Sequence, residues 1–163
     1  MSSTTTLKEK TSSVRSTPAP IKGAALVQPY LMFDGRTEEA LEFYKRALGA
    51  EIGMIMRFKD SPDPSACGPA VSGDKIMHSS FRIGQTEIFA SDGRCEGKTN
   101  FQGISLSLTL PDEKDVERFF NALSDGGQVQ MPLTQTFFSP RFGMVADRFG
   151  VSWMLYVTPQ QKN

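Results

Sequence analysis

His78 is the single histidine of this 163-residue chain. It stands in Ile76–Ile83, IMHSSFRI, with Ser80 two residues on and Arg82 four residues on. The next stretch, GQTEIFASDG from Gly84 to Gly93, places Glu87, Phe89 and Ser91 at the same spacing of two. An imidazole titrating near neutrality can bind a ligand, carry a proton or hold a metal. A guanidinium grips a carboxylate or a phosphate. A spacing of two puts each triplet on one face of a β-strand. A two-residue turn at Gly84–Gln85 would pair Ile83 with Thr86, Arg82 with Glu87, Ser80 with Phe89 and His78 with Ser91. His78, Ser80, Arg82, Glu87, Phe89 and Ser91 then share one face. Met77, Phe81, Ile83, Ile88 and Ala90 share the other, which packs on a helix. A lone strand histidine is more commonly structural than functional, so both roles stay open for His78. Arg82 and Glu87 read first as a cross-strand ion pair and second as a clamp for an anion.

Further polar candidates lie later in the chain. From Ile104 the segment FQGISLSLTL alternates strictly, with Ile104, Leu106, Leu108 and Leu110 on one side and Ser105, Ser107 and Thr109 on the other. On the last strand Trp153, Leu155 and Val157 read as core, leaving Ser152, Met154 and Tyr156 for the polar face. Phe137, Phe138 and Phe142, with Pro140, could roof a cavity or form an apolar contact patch. Met32, Met54, Met56, Met77 and Met154 suit core or pocket lining. Cys67 and Cys95 form no CxxC pair, have no histidine beside them in sequence, and lack the charge context of a nucleophilic thiolate.

These residues need elements to position them. VQPYLMF (27–33) reads as a strand. In DGRTEEALEFYKRALGA, Ala40, Leu41, Phe43, Tyr44, Ala47 and Leu48 fall at helical spacing, and Gly49 ends the helix. EIGMIMRF (51–58) is a second strand, followed by a long Pro-, Gly-, Ser- and Asp-rich loop over 59–75 and then the hairpin of 76–91. After a second loop the order repeats. A strand ends at Leu110, a helix opens at Pro111 or Asp112 and ends at Gly126–Gly127, a strand follows, and a final hairpin turns near Asp147–Gly150. The chain is β-α-β-β-β twice, at a spacing of roughly 75 residues.

Composition bounds the rest. With 39% hydrophobic and 22% charged residues the chain belongs with ordinary globular proteins, and zero formal net charge gives no field for nucleic acid. Residues 1–26 are Ser- and Thr-rich, lack apolar periodicity, and hold Lys8, Lys10, Arg15 and Lys22 against Glu9 alone. They read as a disordered tail without a secretory signal. No apolar run is long enough for a membrane span. Two free thiols fit a cytoplasmic protein. The expected organisation is a tail at 1–26, one domain at 27–158 with modules at 27–92 and 101–158, and a short C-terminal tail at 159–163.

The paired modules resemble the vicinal oxygen chelate superfamily of glyoxalase I, bleomycin-resistance proteins and extradiol dioxygenases, and more narrowly its PhnB-like branch. The resemblance is carried by PYLMFDGRTEEALEFYKRALGAE (29–51), His78 with SDG (91–93), QTFFSPRFG (135–143) and DRFGVSWML (147–155). It covers about residues 27–158. It implies an α+β fold in which two βαβββ modules form a cupped, mostly antiparallel sheet around a cavity. It also implies a homodimer. Metal-dependent members of the superfamily draw ligands from four strands, and the matching places here are near Pro29, Ser91 and Gly103 and at Met154. None of these supplies an imidazole, carboxylate or thiolate donor. Gln28 could enter only by a register slip that turns its strand inside out. No cofactor is therefore expected.

No Gly-rich nucleotide-binding loop follows a strand. Three readings of function remain. The first is a metal-free protein that binds a small polar or anionic molecule through His78, Ser80, Arg82, Glu87, Phe89, Ser91, Ser105 and Tyr156. The second is a glyoxalase- or dioxygenase-type enzyme, or a metal-free isomerase using His78. The third is a structural or interaction module without a ligand.

Overall fold

The computed structural model describes residues 21, 23–63, 71–93, 95 and 99–158. The expectations for the tail at 1–20 and Lys22, for 159–163, for Cys67 and for the middle of the 59–75 loop lie outside them. The first module runs β1 (Tyr30–Met32), α1 (Thr37–Leu48), β2 (Glu51–Arg57), β3 (Ile76–Ile83) and β4 (Thr86–Ser91). The second runs β5 (Ser105–Leu110), α2 (Glu113–Ser124), β6 (Gln128–Thr134), β7 (Phe142–Ala146) and β8 (Ser152–Val157). A 3₁₀ turn at Phe58–Asp60 follows β2.

The helices form where the apolar spacing demands them. α1 buries Ala40, Leu41, Phe43, Tyr44 and Leu48 on one stripe, and Gly49 closes it in the left-handed region at φ 66°. α2 is opened by Asp112, whose carboxylate accepts from the Asp115 amide. α1 has no side-chain cap of its own at Arg36. Its cap arrives from 55 residues away: the buried Asp92 accepts from the Thr37 amide at 2.8 Å and from the Ile76 amide at 2.7 Å. One carboxylate thus ties the start of α1 to the start of β3.

The strands build two separate four-stranded sheets, ordered β1-β4-β3-β2 and β5-β8-β7-β6. In each, the first strand pairs in parallel with the fourth, and the remaining pairs are antiparallel. The mostly antiparallel α+β architecture matches the expectation. Among the described residues the expected cupped sheet is built as two four-stranded sheets, one from each module, with no ladder between them.

The modules join through their helical sides instead. Tyr44 of α1 stacks on Phe81 at 5.5 Å and meets Trp153 of β8 edge-on at 5.6 Å. Its hydroxyl donates to Asp147 at 2.7 Å. Arg36 caps the Phe149 ring and Arg148 caps the Phe43 ring, one guanidinium from each module on an aromatic ring of the other. With the inner faces buried against the helices, each sheet turns its other face outward. On those faces Tyr30, Met32, Met54 and Met131 are exposed.

Ile104 departs from the sequence reading. It was expected at the head of a core row, yet it is 53% exposed and lies before β5. Gly103 at φ +80° turns the chain there, so alternation begins only at Ser105.

Candidate functional site

The β3–β4 ladder has the expected register: Ile83 opposite Thr86, Arg82 opposite Glu87 and Ser80 opposite Phe89. β1 adds the third strand in parallel, with Tyr30 opposite Phe89 and Met32 opposite Ser91. Strand pleating then gathers Tyr30, His78 and Phe89 on the outward face. Their ring centroids are 5.6, 6.0 and 5.2 Å apart. The Tyr30 hydroxyl lies 2.9 Å from His78 Nδ1. In the tautomer with its proton on Nε2 the imidazole accepts from the phenol at Nδ1.

Arg82 and Glu87 face each other but do not pair. The Glu87 carboxylate accepts instead from Gln28 Nε2 at 3.0 Å. The expected cross-strand ion pair is absent, and the exposed Arg82 guanidinium has no ion pair or side-chain hydrogen bond among the described residues. Gln28 also corrects the register reading. With Tyr30 opposite Phe89, positions 28, 30 and 32 share the outward face, and Gln28 reaches Glu87 without any slip.

Ser80 and Ser91 have structural duties on this face. Ser80 is buried, and its hydroxyl accepts from the Met54 amide at 3.3 Å. A Cβ on Gly53 would come within 2.5 Å of that hydroxyl, so only glycine fits opposite it. Ser91 is buried and accepts from the Gly93 amide at 2.8 Å.

The second module has a different face. A cavity of about 670 Å³ opens there, lined by Phe101, Ile104, Ser105, Gln130, Ser152 and Met154 among others. The Ser105 hydroxyl bonds that of Ser152 at 2.8 Å, which donates to Gln130 Oε1 at 2.7 Å. Among the described residues its lining holds no ionisable side chain. Tyr156 lies further along β8, where hydrogen bonds with Thr109 and then Ser107 hold its phenol below the usual tyrosine range.

The eight candidates therefore divide. His78, Ser80, Arg82, Glu87, Phe89 and Ser91 belong to the first sheet, and Ser105 and Tyr156 to the second. Sequence reasoning missed Tyr30 and Gln130 and placed Gln28 on the wrong side. The available signal for Tyr30 was its spacing from Gln28 and Met32, but the parallel β1–β4 register was needed to use it.

Among the described residues no three His, Cys, Asp or Glu side chains stand together as a metal-binding group; His78 Nδ1 faces Tyr30, and Glu87 Oε2 accepts from Gln28. Burial, followed by the nearby Asp92 and Asp34 carboxylates, pushes the Cys95 thiol up, which opposes a nucleophilic role.

Comparison with known proteins agrees with this fold. A family model described as 3-demethylubiquinone-9 3-methyltransferase matches residues 25–156. The chain belongs to this PhnB-like family. Among its PhnB-like relatives, protein YjdN of Escherichia coli is 33% identical over 142 residues, covering 83% of this chain and 97% of that protein. The crystal structure of PA1353 from Pseudomonas aeruginosa is 39% identical with a TM-score of 0.73, covering 83% of this chain and 98% of that one. A PhnB protein from Bacillus cereus is 30% identical with a TM-score of 0.68, covering 81% and 98%. The fosfomycin resistance protein FosX of Listeria monocytogenes, complexed with Mn(II), is 13% identical with a TM-score of 0.56, covering 86% and 96%. It shares the fold alone. No helix among the described residues is long and apolar enough to cross a membrane.

Proposed function

We propose that this PhnB-like chain binds a small polar or anionic molecule on the outward sheet faces, without a divalent metal, and that it does so as a cytoplasmic homodimer. The observation that carries the reading is Arg82. Its guanidinium has no partner among the described residues on the face of Tyr30 and His78, while the carboxylate opposite it accepts from Gln28. An unpaired guanidinium is a ready partner for a carboxylate or phosphate. The neutral hydroxyl and amide chain on the second sheet would then complement the polar remainder of such a molecule.

The homodimer is supported by the exposed apolar side chains of both faces. A second copy related by a two-fold axis would set the first-module face of each chain against the second-module face of the other, covering both kinds of face in one closed assembly. The methyltransferase activity in the family description is not the reading proposed, since no Gly-rich loop joins a strand to a helix among the described residues. Proton transfer by His78 is the second reading, favoured by its hydrogen bond to Tyr30.

Native mass spectrometry of the untagged full chain, before and after metal loading, tests the first reading. A dimer that gains no stoichiometric metal and carries a small-molecule mass that is lost in Arg82→Ala is expected. Stoichiometric metal, released by Gln28→Ala or Glu87→Ala, would overturn it.

A further inference from the structure

The aromatic cluster on the first sheet goes further than a lone anion contact. Tyr30, His78 and Phe89 come from three adjacent strands, and their planes tilt by 42°, 58° and 50° to one another. The rings contact one another at these tilts, so they form a ridged aromatic surface on which a flat ring stacks on one face and meets its neighbours edge-on. The surface is accessible: Tyr30 is 44% exposed, and His78 and Phe89 are half-buried. Its surroundings suit a π-face. Met56 stands opposite His78, and the exposed Met32 and Met54 add polarizable thioethers.

A strand rises about 3.3 Å per residue, so Arg82 and Glu87 lie about 7 Å along the ladder from the Ser80–Phe89 pair. A group stacked on Phe89 can therefore carry an acid that reaches the unpaired guanidinium. An aliphatic acid would satisfy Arg82 and leave the aromatic rings in water.

We infer that the ligand is a planar aromatic or conjugated acid, its ring stacked on Phe89 and flanked by Tyr30 and His78, and its acidic group directed to Arg82. This inference rests on the small-molecule reading above and names the chemical class. It assigns binding contacts to Tyr30 and Phe89, and it gives His78 the role of a ring held in position by the Tyr30 hydroxyl.

The chain contains a single histidine, so the imidazole resonances of the untagged full chain report this face without assignment ambiguity. Benzoate and cyclohexanecarboxylate serve as probes, with similar acids but only one planar ring. Benzoate should shift the His78 signals saturably and bind about tenfold more tightly than cyclohexanecarboxylate, the effect of one stacked ring. Phe89→Leu and Tyr30→Leu should abolish that preference, Tyr30→Phe should keep it, and Arg82→Gln should weaken both acids alike. Thermal melts of each variant establish that it is folded. Equal binding of the two acids would overturn the ring assignment. So would a co-purified non-aromatic molecule, and in that case the small-molecule reading would stand. Absence of any binding together with absence of any co-purified mass would overturn both.

Discussion

Each tyrosine of the chain sits in a different electrostatic setting, and the differences follow from single contacts. Tyr30 gives its hydroxyl to His78, Tyr156 shares hydrogen bonds with Thr109 and Ser107, and Tyr44 is buried against Asp147. Burial first, and then the Asp147 carboxylate, push the Tyr44 phenol well above the ordinary range. Tyr156 shifts the other way. In a spectrophotometric alkaline titration, Tyr156→Phe should remove phenolate absorbance that develops below the ordinary tyrosine range. Tyr44→Phe should leave the native titration unchanged, since Tyr44 ionises only as the chain unfolds. Early phenolate absorbance that survives in Tyr156→Phe would contradict the assignment.

Two buried aspartates set the geometry of whole elements. Asp92 replaces the missing cap of α1 and holds the first amide of β3. Asp92→Ala would leave two buried N–H groups without acceptors and remove a negative charge from a helix N-terminus, a cost of about 2–4 kcal/mol. Urea denaturation followed by the fluorescence of the single tryptophan should read this as a lower midpoint with an unchanged slope. Asp147 organises the β7–β8 turn. It accepts from the Phe149 and Val151 amides, from the Tyr44 hydroxyl and from Trp153 Nε1. Burial nevertheless outweighs those four donors and raises its pKa above 3.8. A carboxyl whose folded pKa is raised binds its proton more tightly in the native state. Its contribution to stability is therefore complete below the unfolded value and declines as pH rises through the folded one. Asp147→Asn should flatten that decline. It should also cost about 1–3 kcal/mol at neutral pH, because an amide cannot accept from both Tyr44 and Trp153 while serving the turn. A wild-type slope that persists in Asp147→Asn would assign the pH dependence to another group.

At the scale of the molecule, the decisive feature is which way the modules face. Tyr44, Trp153, Phe149 and the two guanidinium caps bind the helical sides together, so both sheets present their other face outward. Met131, opposite Met144 on the outward face of β6, is 42% exposed. If a second copy covers that face, Met131→Lys should shift the sedimentation coefficient toward that of a monomer. The melting temperature at low protein concentration should change little, since no core contact is lost. A monomeric wild-type chain in sedimentation velocity would remove the homodimer from the proposed function.

Sequence alone determined the module repeat, the two helices with their stops, and the register of the β3–β4 hairpin. Those features follow from local periodicity and turn chemistry, which adjacent residues carry in full. Local pattern also placed His78, Arg82, Glu87 and Phe89 on one face correctly. It could not show that Gln28, 59 residues away, would take the Glu87 carboxylate and leave Arg82 unpaired. Nor could it bring Tyr30 to His78, because the parallel β1–β4 pairing joins segments with a helix and two strands between them. The division of the eight candidates between two outward sheets was likewise decided by tertiary packing. Tyr44 of α1 meets Trp153 of β8 edge-on and joins the modules through their helical sides, and no periodicity along the chain records that contact.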